Sequence, residues 1–124
     1  MYIAIKLNDM DNKELRIGNW VFDLEEKENT EVIQWTFESD YFTSLEPIPL
    51  TEEWLIRFEE VEKAPYDDDI KDYYLIKRCG FFDIIYEDDD NIYIDFGDAL
   101  KKVKYLHQLQ NLYFALTNEE LTIK

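Results

Sequence analysis

A polar tetrapeptide, Asp88-Asp89-Asp90-Asn91, separates two stretches whose apolar residues alternate. Phe82, Ile84 and Tyr86 precede it, and Ile92, Ile94 and Phe96 follow it. Successive side chains of a strand point to opposite faces, so alternation on both sides of a short turn predicts an antiparallel hairpin. A lone hairpin is marginal in water and needs further strands or a helix over its apolar face. The chain supplies both. Residues 72–96 as a whole read as two or three strands. Ile3, Ile5 and Leu7 alternate with Tyr2, Ala4 and Lys6, as in a strand. Leu15, Ile17 and Val21 form a second candidate, with Gly18 and Asn19 as a bend or bulge. The acidic segment Leu24–Glu31 reads as a turn, after which β-branched and aromatic residues over Val32–Phe37 pair back. Together these segments predict a small, strongly bent antiparallel sheet or partial barrel.

Two helices complete the expectation. Pro47 and Pro49 hold the residues before them extended. Thr51 then offers an N-cap hydroxyl, and Glu52 and Glu53 occupy the first turn, where the helix dipole favours anions. Leu50 and Leu55 are placed as a hydrophobic staple. Trp54, Leu55, Phe58 and Val61 follow at helical spacing, which predicts a helix over 51–62 ended by Ala64-Pro65. Asp98 is expected to cap a longer helix over 98–116. Its stripe would be Tyr105, Leu109, Leu112 and Leu116, with Leu106 and Tyr113 beside it and Lys104, Gln108 and Asn111 in solvent. Asn118 suits a left-handed C-cap, and Leu121-Thr122-Ile123 an edge strand or a core contact. The expected class is α+β, with Trp54, Leu55, Phe58, Leu106, Leu109, Leu112 and Leu116 buried.

Hydrophobic residues make up 46% of the 124 and aromatics 16%, enough for one packed domain over residues 1–124. Thirteen basic and 29 acidic residues give a net charge of −16. That exceeds the roughly 2–8 that suits a small domain, and the excess opposes folding by self-repulsion. Such a chain repels nucleic acid and anionic membrane, so direct contact with either is not expected; basic surfaces and cations are its natural partners. The simpler reading is that the charge only confers solubility. Cys79 is alone, the N-terminus has neither a basic start nor a long apolar run, and no stretch reaches membrane length. A cytoplasmic protein is expected, as monomer or dimer.

No catalytic arrangement is legible. His107, the only histidine, falls at the edge of an amphipathic stripe and reads as structural. One His and one Cys cannot complete a zinc site without two suitably spaced carboxylates. An EF-hand loop needs a central Gly and alternating oxygen ligands, whereas Asp88–Asn91 runs into Ile92 and Tyr93, and Asp9 and Asp11 into Lys13. Three glycines, Gly18, Gly80 and Gly97, make no phosphate loop. The expectation is a non-enzyme that needs no metal and no cofactor.

Two surface features are candidates for binding. One is the acidic loops with their tyrosines: Asp67, Asp68 and Asp69 beside Tyr66, and Asp88, Asp89 and Asp90 beside Tyr86. Carboxylates steer toward a basic groove, and aromatics provide desolvated anchors. The simpler reading is solvated loops next to core aromatics. The other is a minor basic patch, Lys101, Lys102 and Lys104, near Lys77 and Arg78 in sequence.

Three segments carry a resemblance. They are Leu15-Arg16-Ile17-Gly18-Asn19-Trp20-Val21, then Glu46-Pro47-Ile48-Pro49-Leu50-Thr51-Glu52-Glu53-Trp54-Leu55, then Tyr105-Leu106-His107-Gln108-Leu109-Gln110-Asn111-Leu112-Tyr113-Phe114-Ala115-Leu116-Thr117. Over residues 15–124 the chain resembles a family of small proteins from Bacteroidetes phages and prophages. Asn118, and Glu59 after the first helix, replace expected glycines, and residues 1–12 look like an added strand. The resemblance implies no activity and no functional residue; its motifs read as core and caps. It implies a phage or mobile-element gene expressed in a bacterial cytoplasm.

Context and charge together lead to an inhibitor of a host defence nucleoprotein, of the anti-CRISPR kind, binding a basic nucleic-acid-handling protein such as an RNA-guided effector. The alternative is a phage accessory or assembly protein whose acidity serves solubility. A metal-dependent carboxylate hydrolase is the third reading.

Overall fold

A computed structural model describes residues 15–33, 45–64, 72–76 and 82–124. The expected strand at Ile3, Ile5 and Leu7, most of Val32–Phe37, the loop of Tyr66, Asp67, Asp68 and Asp69, and Lys77, Arg78 and Cys79 lie outside the described residues. The fold is α+β, as expected, with two antiparallel sheets and two helices, and it divides into two compact units.

The first unit contains β1 (Trp20–Asp23), β2 (Glu28–Glu31) and β3 (Leu45–Pro47), in the order β2-β1-β3. Leu15, Val21, Val32 and Leu45 form its apolar cluster. The expected turn over Leu24–Glu31 is too long. The chain reverses over residues 24–27, with Lys27 at φ 55, and Glu28–Glu31 pairs with β1. The buried Asp23 carboxylate explains the tight reversal, because Oδ1 accepts the N–H groups of Glu25 and Glu26 at 2.9 and 3.2 Å. The expected strand at Leu15 and Ile17 is instead a turn: Asn19 N–H donates to Arg16 O, and Arg16 N–H to Asn19 Oδ1. Gly18 sits at φ 100, which only glycine adopts without strain, confirming the bend.

The second unit is built on a five-stranded meander: β4 (Val61–Lys63), β5 (Asp72–Ile76), β6 (Asp83–Asp88), β7 (Asn91–Asp95) and β8 (Leu100–Lys102). The β6–β7 hairpin forms as expected, with Ile84 opposite Ile94 and Tyr86 opposite Ile92. One face is buried and carries Val61, Ile76, Tyr74, Ile84, Ile94 and Ile92. Helix α1 (Glu52–Arg57) belongs with that face, since the Tyr74 hydroxyl donates to the Glu52 carboxylate. Thr51 Oγ1 accepts the Trp54 N–H as the N-cap, and Trp54, Leu55 and Phe58 are buried as expected.

Two helix boundaries differ from expectation. Helix α1 stops at Arg57 rather than near 62, and Phe58 is extended. The C-terminal segment occupies the backbone there: Phe58 bridges Ile123, Glu59 N–H donates to Thr122 O, and Lys124 N–H donates to Arg57 O. Val61 then enters the sheet opposite Ile76. At the other end, Asp98 caps nothing. Gly97, at φ 97, and the bond from Phe96 N–H to Ala99 O reverse the chain, and residues 100–102 pair with β7. Helix α2 begins at Leu106 and runs to Thr117. Its start is set by Gln108, whose Oε1 accepts the Tyr105 N–H in a capping-box manner. Its end is as expected, with Asn118 at φ 59 donating to Phe114 O. The buried stripe is rotated from the one expected. Leu106, Leu109 and Tyr113 are buried, Leu112 and Leu116 only half-buried, and Asn111, placed in solvent by the sequence, is half-buried.

Candidate interaction surface

The Asp88–Asp90 turn is internally bonded. Asp88 Oδ1 accepts the Asp90 N–H at 2.8 Å and the Asn91 side-chain amide at 2.9 Å. Asp89 Oδ1 accepts the Tyr86 hydroxyl at 2.9 Å and, at 3.1 Å, the backbone N–H of Glu52 at the start of α1. Asp88 and Asp89 therefore shape the turn and help cap the helix. All three aspartates are exposed, and Tyr86 is half-buried. Burial first, and then the hydrogen bond to Asp89, pushes the Tyr86 phenol up to about 12. Burial and the bond to Glu52 raise Tyr74 further.

The five-stranded sheet has a second face that the sequence reading did not single out. Directly opposed residues share a face, so the register lays out two rows across it. One is Glu62, Leu75, Asp83, Asp95 and Leu100; the next is Tyr73, Ile85, Tyr93 and Lys102. Ile85 is buried, Tyr73, Leu75 and Tyr93 are half-buried, and Leu100 and Lys102 are exposed. Tyr73 and Tyr93 flank Ile85 at one strand spacing each, about 4.8 Å. The sequence signal for this face was present: Tyr93 lies between Ile92 and Ile94, so alternation assigns it to the other side.

Asp83 and Asp95 are directly opposed on that face. Burial, then the Asp95 charge, raises the Asp83 carboxyl above the usual carboxylate range. A folded-state pKa raised in this way penalises the fold at neutral pH, and the penalty fades as pH falls through the raised value toward about 3.9. Asp83→Asn is accordingly expected to raise the melting temperature at pH 7, by less than about 1 kcal/mol in stability. The gain should be absent below about pH 3.9. A lower melting temperature at pH 7 would contradict this reading.

The basic patch is on the sheet edge. Lys101 and Lys102 lie in β8, Lys104 follows it, and all three are exposed. Lys102 Nζ approaches Asn91 Oδ1 at 3.4 Å, an oxygen that also accepts the Tyr93 hydroxyl. His107 is fully buried, its ring stacked on Tyr105 with 5.9 Å between centroids, which fits a structural histidine. Among the described residues no group of three or more His, Cys, Asp or Glu is placed to hold a metal ion, and no helix is long and apolar enough to cross a membrane.

Within the first unit, two of the sequence motifs meet. Gln110 Oε1 accepts the Trp20 N–H at 2.9 Å, and its Nε2 donates to Gly18 O at 3.1 Å. Asn111 Oδ1 accepts from Asn19 Nδ2 at 2.8 Å and from Arg16 Nε at 3.2 Å. Arg16 also donates to Gln110 O. Asn19 and Gln110 are buried, so this network ties α2 to the 16–19 turn and reads as architecture. No protein-family model, curated protein or solved structure matches the chain.

Proposed function

We propose that this chain is a non-catalytic binding protein that docks on a basic surface of a nucleic-acid-handling protein, as an inhibitor of a host defence nucleoprotein of the anti-CRISPR kind would. The observation that carries the proposal is the net charge of −16 on a folded, aromatic-rich chain. A folded polyanion is a surrogate for nucleic acid in a positively charged channel. The resemblance to phage and prophage proteins supplies the context of a bacterial cytoplasm. A second reading, an accessory or assembly protein whose acidity serves solubility, draws on the turn at Asp88 and Asp89, whose carboxylates support local structure.

The test begins with a pull-down from bacterial host lysate, followed by binding kinetics on the captured protein. Opposed charges accelerate encounter, and screening shortens their reach to about 8 Å near physiological salt. Reversing Asp67, Asp68 and Asp69 to lysine is expected to slow association by about tenfold at low salt and to change dissociation less. Asp90→Lys, which leaves the bonds of Asp88 and Asp89 in place, should act in the same direction. Unchanged association with an unchanged salt slope in both variants would reduce the charge to a solubility device.

A further inference from the structure

We infer that the second face of the five-stranded sheet, where the opposed Asp83 and Asp95 stand beside Tyr93, is a docking surface for an arginine-bearing segment of a basic protein. The inference rests on the function proposed above and assigns it a surface.

Charge complementarity beside an aromatic row recommends this face. The opposed pair Asp83 and Asp95 has Leu75 on one side and Leu100 on the other, neither of which can neutralise it. Lys102, the cation of the neighbouring row, approaches Asn91, toward the turn end of β7 and away from Asp95. The Cβ atoms of a directly opposed pair stand about 5 Å apart, so a guanidinium that forks onto the two oxygens of Asp83 also lies close to Asp95, whose Oδ1 accepts the Gly97 N–H at 2.8 Å. An arginine seated there would lay its stem along the half-buried Tyr93, in the row about 7 Å away along the strands. The tyrosine rings favour the delocalised guanidinium over a strongly hydrated ammonium. The register therefore sets a paired anion beside an aromatic row on one surface. A basic segment would neutralise there a like-charge pair that meets no cation among the described residues of its own row.

Fluorescence anisotropy of a labelled arginine-rich peptide, against a lysine-rich peptide of equal length, tests the assignment. The wild-type chain should bind the arginine peptide more tightly. Asp83→Asn with Asp95→Asn should weaken that binding about tenfold, as expected for one charge-assisted bidentate contact. Glu28→Gln with Glu31→Gln removes the same charge from exposed positions of β2 and should weaken it by less than about twofold. Tyr93→Leu, which keeps an apolar side chain, should reduce the preference for arginine over lysine. Thermal melts of each variant separate loss of binding from loss of fold. Equal weakening by the two charge-matched pairs would overturn the surface assignment while leaving a diffuse acidic attraction. Absence of binding to either peptide at low salt would overturn both this inference and the function on which it rests.

Discussion

Truncating Leu109 to alanine is expected to cost about 2–5 kcal/mol, the range for deleting a fully buried leucine. Leu109 has no exposed surface and lies on the buried stripe of α2 with Leu106 and Tyr113. The loss combines the transfer energy of the removed carbons with the cavity they leave. A domain of this size has only about 5–15 kcal/mol in hand, so the change is a large fraction of the total. In urea unfolding the midpoint should fall with little change in slope. Leu112→Ala is the comparison. The sequence pattern makes the two leucines equivalent, but Leu112 is half-buried and should cost clearly less. Equal costs would mean that the stripe is centred where the sequence pattern put it.

The second large effect is expected at a polar residue. Gln110→Ala should cost about 2–4 kcal/mol, although the substitution raises helix propensity. The Gln110 amide accepts the Trp20 N–H and donates to Gly18 O. Without it, two backbone groups in a partly buried setting lose their partner, at about 1–2 kcal/mol each, the lower part of the range for buried groups. Urea unfolding gives the total. Hydrogen exchange at the Trp20 amide gives the local part and should speed up as that proton loses its acceptor. A change within about 0.5 kcal/mol, typical of surface positions, would show that water replaces the side chain without penalty.

Position 110 also shows where sequence reasoning stops. The helical pattern of apolar residues ran through Leu109 and Leu112, and nothing in that pattern marks the glutamine between them as buried. Its burial depends on two backbone groups more than 85 residues away in the chain. The same holds for Asn111, expected in solvent and found accepting from Asn19 and Arg16. Alternation, by contrast, located the β6–β7 hairpin with its pairs in register, because turn and strands are encoded within about 15 residues. Thr51 as N-cap and Asn118 as left-handed C-cap were legible for the same reason: a cap is chemistry among residues three or four apart.

The candidate site divides in the same way. The acidity of Asp88, Asp89 and Asp90 is plain in the sequence, whereas the bond from Glu52 N–H to Asp89 joins residues 37 positions apart and appears only in the fold. The opposed Asp83 and Asp95 and the row of Tyr73, Ile85 and Tyr93 exist only once the register is set.

The sequence by itself determined the α+β class, the N-cap of the first helix and the C-cap of the second, the central hairpin and the anionic character, all of which follow from local periodicity, local hydrogen bonding or composition. Tertiary structure alone decided that α1 ends at Arg57, that residues 100–102 join a sheet, and which polar residues are buried. The physical reason is competition for backbone hydrogen bonds. Phe58 and Leu100 satisfy helical or extended patterns about equally well over a few residues. The outcome was set by partners distant in sequence or across a turn, Ile123 for the first and Asp95 for the second.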